Sequence, residues 1–595
     1  IKELKNYKYK TPSIVYDRKG RVIAEIGDER RYPLGFEDIP EYMKNAVISV
    51  EDSRFYKHGG VDFLGILRAF FTNIKAGRVV EGGSTLTQQL VKVIYLTPER
   101  KLKRKIKEAI LAYKIDNYLT KDEILGLYLN EVYFGRGAYG VEAAARNYFG
   151  KSLKELSLPE IATIAGIPKA PGVYAPHIDP KKSAVRMEHV LYRMFEEGYI
   201  TEQTYNDAKG VQISVVDEIP QKILFAPDVV DMVKDYLRSE LKIEPENNGY
   251  KIYTTIDIDY QKSGEQAVTE NLFNLSKRQG YFGVLTSVSS QDFETKISRK
   301  RYLEKYGLYP AVVVSLDRTF AEVELLEDKK KVTLVLKDNN WAVPYSSGER
   351  VLDDFRKIFQ EGDIIFVKKH PQKGYLLEQE PEAESALLAM SPETGDILSV
   401  TGGFDYNKSM FNRAVFSKRQ VGSLFKPIVY SAALENGFFV NTQVLDAPVI
   451  MDTGEENKYW KPSNFEEKFY GFTTLLEALT KSRNIVTIKV AEKLGVKKII
   501  DYAKRFGISS DFQKDLSISI GSGSVSLIEM VGAFSVFPNM GNYVKPRYIL
   551  KIHDHAGKEV YTAPEVVKVS ALKETTAHIM TDMLINVVEN GTGKR

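Results

Sequence analysis

Hydrophobic and polar residues follow several distinct patterns along this chain. From about residue 38 to 205, apolar side chains recur every three or four positions, which predicts amphipathic α-helices. Residues 228–268 include YKIYTTIDIDYQKSGEQAV, a β-branched run that passes into a helix. Between about 281 and 380, alternating segments such as AVVVSL, FAEVELLE, KVTLVL and DIIFVKK predict a small antiparallel barrel or sandwich. From Ala386 onward, a predicted hairpin turning at Glu393 to Asp396 is followed by alternating helices and strands.

The first predicted helix lies in DIPEYMKNAVISVED. Asp38 and Glu41 have the spacing of a capping box, and Pro40 falls in the first turn. Apolar positions at helical intervals predict one buried face, formed by Met43, Ala46, Val47 and Val50. Glu51 then falls at the C-terminal end of this helix, where a side chain can face a cleft.

A second apolar stretch, DFLGILRAFF, spans Asp62 to Phe71. Its composition fits a helix buried in the protein core, which is the favoured interpretation. The alternative is a segment that dips into a membrane surface.

Composition limits the classes of protein that fit. A length of 595 residues predicts three or four domains. A net charge of +4, from 83 basic and 79 acidic residues, gives no global sign of a nucleic-acid-binding protein. The absence of cysteine excludes disulfides and thiolate catalysis, and seven histidines disfavour a His-rich metal site. No apolar run reaches the roughly 20 residues of a spanning helix; because residue 1 is Ile, we expect a membrane anchor upstream.

Five short motifs occur in order within the helical part: EDSRFYKHGG, GGSTLTQQL, RKIKE, KDEILGLYLN and RMEHVL. Each alone has a simple structural explanation, as a cap, a surface ion pair or core packing. Together they resemble the five motifs of the family 51 peptidoglycan glycosyltransferases, the polymerising domain of class A penicillin-binding proteins. The resemblance implies a mostly helical, lysozyme-like domain.

The chemistry of glycan polymerisation needs a base for the acceptor hydroxyl and cations for the departing lipid diphosphate. The resemblance makes Glu51 the base and Glu108 a second catalytic acid beside the phosphates, where a divalent cation such as Mg or Mn is an option and no metal ligand is assigned. Basic residues between 92 and 107 alternatively form a solvated or lipid-attracted face. His58 fits a hydrogen-bonding loop residue better than a metal ligand. The residues implied in substrate binding are Asp52, Phe55, His58, Ser84, Thr85, Gln88, Gln89, Arg104, Lys105, Lys121, Asn130 and Arg186.

A second constellation begins at Ser423, where KRQVGSLFKPIVY contains an S-x-x-K element. Ser423 and Lys426 share a helix face, so a neutral lysine can take the seryl proton. The alternative is a plain serine N-cap, which favours Glu or Gln at the fourth position. Ser482 and Asn484 follow as S-x-N, and the pair of elements is typical of penicillin-binding proteins and class A β-lactamases.

The transpeptidase domains of class A penicillin-binding proteins resemble this region. The resemblance implies that Ser423 attacks a D-alanyl-D-alanine bond, Lys426 acts as base, Ser482 relays the proton and Asn484 holds the peptide amide. The family's K-T-G strand has no match in VVENGTGKR, residues 587–595. We therefore expect an α/β, β-lactamase-like domain that is C-terminally incomplete as given, or else inactive.

The β-rich part, residues 281–380, resembles the OB-like module of class A penicillin-binding proteins in Gram-negative bacteria. Tyr309, Phe320 and Trp341 are candidate base-stacking residues, but the cationic groove expected with them is not evident. A regulatory or spacer role without nucleic acid is therefore the favoured interpretation.

These observations predict a multidomain protein divided at 1–215 (glycosyltransferase domain), 216–280 (linker and N-terminal part of the transpeptidase domain), 281–380 (OB-like β-rich insert) and 381–595 (transpeptidase domain lacking its K-T-G strand). The predicted function is a bifunctional peptidoglycan synthase; the alternative is a glycosyltransferase whose C-terminal half is a non-catalytic peptide-binding or scaffold domain. A cell-wall hydrolase is disfavoured because it needs no diphosphate-binding cluster.

The same resemblance predicts the substrates, inhibitors and location of this protein. Lipid II and the nascent glycan strand are the expected substrates of the first domain, and moenomycin-type compounds its inhibitors. Pentapeptide stems and β-lactams are expected at Ser423, with a membrane surface beside the first domain. The predicted location is the bacterial inner membrane, with both catalytic domains on the periplasmic side.

Overall fold

The computed structural model describes residues 4–594 except 6, 8, 28, 77–82, 96–101, 217–222, 346 and 453–458. Up to residue 216 the described chain is mostly helical. Its helices are α1 (Glu41–Glu51), α2 (Phe63–Ala76), α3 (Leu86–Tyr95), α4 (Leu102–Asp116), α5 (Lys121–Glu131), α6 (Val141–Phe149), α7 (Leu158–Gly166), α8 (Pro171–Tyr174), α9 (Pro180–Glu196) and α10 (Glu202–Ala208). Its strands are β1 (Ser13–Tyr16), β2 (Val22–Ile26), β3 (Arg30–Arg31) and β4 (Ala138–Tyr139).

One hydrophobic core holds these helices together. The predicted face of α1 enters it through Met43, Ala46 and Val47, which are fully buried, while Val50 is partly buried. Helix α1 packs on α7 and α9, and α3 packs on α4 and α5. This arrangement brings the C-terminal end of α1 near the start of α3 and the first half of α9.

The predicted capping box at the start of α1 is wrong. The helix begins at Glu41 after Pro40, and no side chain caps its first backbone N–H groups. Asp38 instead ends a short 3₁₀ turn, Phe36–Asp38, and its carboxylate accepts a hydrogen bond from Lys154 at 2.8 Å. The carboxylate is thus used by a distant lysine rather than by the helix.

Helix α2 is not a buried core helix, so the favoured interpretation of DFLGILRAFF is also wrong. Five of its large apolar side chains are more than half exposed: Phe63 (74 %), Leu64 (62 %), Leu67 (53 %), Phe71 (64 %) and Ile74 (62 %). Across the described ranges, no helix has the length and apolar character required to cross a membrane.

Residues 223–280 contain α11 (Pro227–Ser239), β5 (Lys251–Thr254) and α12 (Ile258–Gln279). The β-rich part then has β6 (Thr286–Ser287), α13 (Phe293–Arg299), β7 (Leu308–Leu316), β8 (Phe320–Leu325), β9 (Lys331–Val335), β10 (Asp363–His370) and β11 (Gly374–Glu378). Its strands form one sheet in the order β11-β10-β7-β8-β9, with β6 paired to β10. Strand β11 also contacts β9, so the sheet curves back on itself, and the predicted antiparallel strands are confirmed.

The C-terminal part mixes helices and short strands. The helices are α14 (Arg413–Phe416), α15 (Lys426–Glu435), α16 (Leu475–Thr480), α17 (Asn484–Leu494), α18 (Val496–Arg505), α19 (Leu527–Phe534) and α20 (Glu574–Asn590). The strands are β12 (Leu387–Met390), β13 (Ile397–Thr401), β14 (Lys418–Gln420), β15 (Gln443–Asp446), β16 (Met451–Asp452), β17 (Tyr459–Trp460), β18 (Gly471–Thr474), β19 (Ser524–Ser526), β20 (Asn542–Tyr543), β21 (Ile549–His553), β22 (Glu559–Thr562) and β23 (Val569–Ser570). Strands β12 and β13 form the predicted hairpin.

A five-stranded sheet joins distant parts of the chain in the order β2-β1-β5-β21-β22. Strand β1 is parallel to β5, and the other pairs are antiparallel. The chain leaves this sheet at β2, builds the helical part and returns at Ile223, which pairs with Ala24. The first hairpin therefore lies beside strands from the later part of the chain, and the exact domain division stays a prediction.

Candidate active sites

Glu51 is the last residue of α1, and its side chain is almost completely enclosed (11 % exposed). Its Oε2 accepts a hydrogen bond from Gln89 Nε2 at 2.9 Å, and Arg186 Nη2 lies 3.7 Å from its Oε1. Oε1 is buried and accepts no hydrogen bond from the described residues. Burial raises the pKa of this carboxyl, while Gln89 and Arg186 oppose the shift. The site thus holds a carboxyl with a raised pKa and one buried oxygen that accepts no hydrogen bond from the described residues.

Two residues near Glu51 are not in the predicted set. Tyr128, buried on α5, donates its hydroxyl to Gln89 Oε1 at 3.2 Å, which turns the amide nitrogen toward Glu51. Lys169 is a further cation that lowers the pKa of Glu51. Tyr128 lies inside the KDEILGLYLN motif, but the apolar pattern of this helix does not indicate that its tyrosine makes a functional hydrogen bond. Lys169 follows α7 and belongs to none of the five motifs, so the sequence did not identify it.

Asp52 connects the loop after α1 to the start of α3 by hydrogen bonds. Its Oδ2 accepts the backbone N–H of Leu86 at 2.9 Å, and His58 Nε2 lies 3.0 Å from the same oxygen. Both side chains are 5 % exposed. The described residues include no group of three acidic or histidine side chains fit for a metal ion. The contact of His58 with Asp52 is a loop hydrogen bond of the kind that the sequence favoured for this histidine.

Phe55 and Lys121 also stabilise this loop. Phe55 is fully buried, and Lys121 Nζ lies 4.7 Å from the centre of its ring. Lys121 donates to the backbone carbonyl of His58 at 2.7 Å and pairs with Asp116 at 2.5 Å. The lysine is thus engaged with the protein on three sides.

The predicted donor-side residues begin α3. Thr85 Oγ1 donates to the Gly60 carbonyl at 2.6 Å, and the Thr85 N–H donates to Gln88 Oε1 at 3.0 Å. The Gln88 N–H in turn donates to Thr85 Oγ1 at 3.2 Å. Thr85 and Gln88 are buried and cap the helix, which leaves Ser84 and Gln89 as the less buried members of the motif.

Glu108 is 1 % exposed and holds two cations from the preceding turn of α4. Arg104 Nε lies 3.0 Å from its Oε1, and Lys105 Nζ lies 2.6 Å from its Oε2. Lys105 is half exposed (49 %) and also donates to Ser84 Oγ at 3.1 Å. The buried carboxylate therefore orients a partly exposed ammonium beside the donor-side motif. Residues 96–101 of the basic stretch lie outside the described residues.

Asn130 and Arg186 have contacts within the protein. Asn130 Oδ1 accepts the N–H of Leu34, and its Nδ2 donates to the carbonyls of Leu34 and Gly126, each at 2.9 Å. Arg186 Nε donates to the Gly166 carbonyl at 3.3 Å. Asn130 thus ties a loop to α5, and its predicted contact with substrate stays a prediction.

The second site lies where a 3₁₀ turn, Gly422–Phe425, runs into α15. Lys426 Nζ donates to Ser482 Oγ at 3.0 Å, to the Ser482 carbonyl at 2.7 Å and to Asn484 Oδ1 at 2.8 Å. Ser482 Oγ lies 3.0 Å from Ser423 Oγ. The hydroxyl of Ser482 therefore bridges the exposed Ser423 and the buried Lys426, which is the order predicted for a proton relay.

Burial lowers the pKa of Lys426 to about 7, so its amine is a competent base near neutral pH. Ser482 has a φ of +54°, a left-handed conformation that is rare for a residue with a side chain. On the other side, Gly521 has a φ of +82°, and a Cβ there would lie 1.9 Å from the Gly422 carbonyl oxygen. The backbone on both sides of Ser423 is thus fixed by unusual conformations.

Three family profiles match successive parts of the chain. The Transglycosylase profile covers residues 19–195, the Penicillin-binding protein OB-like domain covers 281–383, and the Penicillin binding protein transpeptidase domain covers 385–595. Their order agrees with the helical, β-rich and mixed parts of the fold.

Named relatives align with almost the whole of this chain. Penicillin-binding protein 1A of Pseudomonas aeruginosa is 35 % identical, with 100 % of this chain and 79 % of that protein covered. Penicillin-binding protein 1A of Escherichia coli is 37 % identical over 95 % of this chain and 67 % of that protein. The chain belongs to the penicillin-binding protein 1A family. The crystal structure of penicillin-binding protein 1A from Haemophilus influenzae superimposes with a TM-score of 0.70 at 26 % identity, over 99 % of this chain and 81 % of that one.

This member of the penicillin-binding protein 1A family is a bifunctional peptidoglycan synthase, with a transglycosylase and a transpeptidase domain in one chain. The β-rich insert is the OB-like domain of the family. Peptidoglycan precursors are its substrates and β-lactams its ligands. The alternative of a glycosyltransferase with a non-catalytic C-terminal half is therefore set aside.

Proposed function

We propose that Glu51 is the general base of glycan polymerisation. It takes the proton from the acceptor sugar hydroxyl of lipid II while the bond to the donor's diphosphate breaks. The buried Oε1, which accepts no hydrogen bond from the described residues, supports this role, because a base needs an oxygen able to accept the proton in a site that raises its pKa. Gln89 holds the other oxygen, so the carboxylate keeps one orientation.

The test is polymerisation of lipid II by Glu51→Gln, which keeps the shape of the side chain and removes the base. We expect a loss on the order of 10²-fold or more. Glu41→Gln, at the exposed first turn of the same helix, is the matched control and should polymerise normally. A Glu51→Gln enzyme within a few-fold of the parent would overturn the assignment.

The same proposal places the lipid diphosphate beside Arg104 and Lys105. Glu108 holds both cations, and Lys105 reaches Ser84 in the donor-side motif. A divalent cation there would depend on phosphate oxygens for most of its ligands, as Mg²⁺ sites in phosphate-binding enzymes do, because the described residues offer no three-ligand cluster. Lys105→Met should weaken lipid II binding and slow turnover, since the cation neutralises the diphosphate both in the bound substrate and as it departs.

For cross-linking, we propose that Ser423 Oγ attacks the D-alanyl-D-alanine carbonyl of a pentapeptide stem. Its proton passes to Ser482 Oγ, whose own proton passes to Lys426, and the terminal D-alanine leaves with a proton from the same relay. The amine of a second stem then attacks the ester, the new amide bond replaces the ester bond, and the amine proton returns through the relay to the released Ser423 hydroxyl. The hydrogen-bonded chain from Ser423 through Ser482 to Lys426 supports this route.

The test is intact mass of the protein after incubation with penicillin. We expect one covalent adduct, which disappears in Ser423→Ala and persists in Ser263→Ala, an exposed serine on α12. An adduct that survives Ser423→Ala would overturn the assignment.

The remaining partners follow from the two sites. Lipid II, the nascent glycan and moenomycin-type inhibitors belong to the Glu51 site, and stem peptides and β-lactams to Ser423. The exposed apolar side chains of α2 support contact with a membrane surface, which also carries the lipid-linked substrate. We therefore place the protein at the bacterial cell membrane, with both sites on the extracytoplasmic side.

A further inference from the structure

The first residues of α17 are held by a side chain outside both catalytic motifs. Asn464 Oδ1 accepts the backbone N–H of Asn484 at 2.8 Å and that of Ile485 at 3.3 Å. Its Nδ2 donates to both oxygens of Asp446, each at 3.0 Å, and to the Lys468 carbonyl at 2.8 Å. Asn464 is 3 % exposed and Asp446 is 1 % exposed, so neither group has water as an alternative partner.

Only one orientation of the Asn464 amide satisfies these neighbours. A carboxylate and a carbonyl can only accept hydrogen bonds, and backbone N–H groups can only donate them. Turning the amide over would place NH₂ against two N–H groups and oxygen against the Asp446 carboxylate. Because unsatisfied polar groups are costly in a buried site, Asp446 fixes the direction in which Asn464 presents its oxygen.

The loop that carries Asn464 also holds the side chain of Asn484. Asn484 Nδ2 donates to the carbonyl of Ser463, the neighbour of Asn464, at 3.0 Å. That contact turns Asn484 Oδ1 toward Lys426 Nζ at 2.8 Å. Both the backbone and the amide of Asn484 are therefore set by this loop, and Ser482 lies just two residues earlier.

We propose that Asp446 and Asn464 form a positioning pair for acyl transfer. Asp446 orients Asn464, Asn464 fixes the start of α17, and the fixed helix start sets the side chain of Asn484 against Lys426. The inference rests on the proposed roles of Ser423 and Lys426. Both members of the pair act through Asn484, so they are positioning residues rather than catalytic ones.

The test is a double-mutant cycle on acylation by fluorescent penicillin in the intact protein. Asn464→Ala should slow acylation on the order of 10-fold to 100-fold, because a small misplacement of reacting groups has effects of that size. In an Asn484→Ala background the same substitution should have little further effect, since residues that act through one another are non-additive. Acylation should still reach one adduct per protein, and lipid II polymerisation should be unchanged.

The pH profile separates positioning from a general loss of structure. Without the acceptor from Asn484, the charged form of Lys426 loses a hydrogen bond, so the midpoint of acylation should move to lower pH in Asn464→Ala. Asn441→Ala, in an exposed turn before β15, is the matched control and should leave rate and midpoint unchanged. If Asn464→Ala fails to fold, Asp446→Asn provides the same comparison with a smaller effect.

Three outcomes would overturn the inference. These are equal acylation by Asn464→Ala and the parent, multiplicative effects in the cycle, or a smaller acylated fraction whose remaining molecules react at the parent rate and midpoint. A parent protein that forms no adduct at Ser423 would instead overturn the proposed function, and the inference with it.

Discussion

At the scale of single residues, Lys426 makes the transpeptidase half sensitive to pH near neutrality. Its pKa is lowered to about 7 by burial, so the amine gains a proton as the pH falls below that value and can no longer accept one from the serine relay. Acylation by penicillin should therefore rise with pH, with a midpoint near the pKa of Lys426 and a plateau above about pH 8.

The measurement is the second-order acylation rate across this pH range. Lys426→Arg should show no such rise, because a guanidinium stays charged. A parent rate that is flat between about pH 6 and pH 8 would contradict the assignment of Lys426 as the base.

Residues were predictable from the sequence where motif spacing carries chemistry. Ser423, Lys426, Ser482 and Asn484 follow from S-x-x-K and S-x-N, and the structure brings all four together. Asn464 could not be found this way, because its task depends on contact with a helix start 20 residues later in the chain. Its only sequence signal is an asparagine two residues after a proline, which equally predicts a simple turn.

At the scale of one element, the loop at Gly521 packs its backbone against Gly422, the residue before Ser423. A Cβ at Gly521 would overlap the Gly422 carbonyl oxygen, so Gly521→Ala must displace the backbone beside the nucleophile. We expect acylation by penicillin to fall at least about tenfold, while lipid II polymerisation stays unchanged.

Gly557→Ala is the matched control, because its φ is also +82° but no atom lies within 4 Å of the added Cβ. It carries the same backbone strain, on the order of 1–2 kcal/mol, without the collision. Equal effects of the two substitutions on acylation would show that backbone strain alone accounts for the Gly521 result.

Helix α2 gives a prediction about membrane binding. Replacing Leu64 and Leu67 by serine removes two exposed apolar side chains, each of which contributes about 1.5–3 kcal/mol when fully buried. Partition onto vesicles of anionic phospholipid should therefore fall by at least about tenfold, with penicillin acylation unchanged. Val185→Ser, at an exposed position of α9, is the control and should leave vesicle binding unchanged. If the two leucine substitutions also left vesicle binding unchanged, α2 would not contact the bilayer.

Elements were predictable where the pattern of a segment is sufficient to define it. The alternating strands of the OB-like part and the hairpin of β12 and β13 were identified in this way, because strand alternation is a local signal. The capping box at Asp38 was predicted and is absent, since Pro40 takes the N-cap position of α1 and Asp38 ends the preceding 3₁₀ turn. For α2, apolar composition alone does not distinguish a core helix from a surface helix.

At the scale of the whole molecule, the two activities rest on separate hydrophobic cores. One core contains residues between 4 and 208, and the other contains residues between 421 and 583. The helical part is joined to the five-stranded sheet at both of its ends, through β2 and through the pairing of Ala24 with Ile223. Stability changes in one core should therefore affect one activity first.

Matched substitutions test this separation. Leu153 and Leu572 are almost fully buried, one in each core, so Leu→Ala at either site should cost ~2–5 kcal/mol. Leu153→Ala should lower the temperature at which polymerisation is lost, by roughly 5–15 °C for a domain of this size, and leave the loss of penicillin binding unchanged. Leu572→Ala should do the reverse. If either substitution lowered the temperature at which both activities are lost, the two halves would unfold as one unit. A cavity in one core affects the distant site only when the two cores share an unfolding transition.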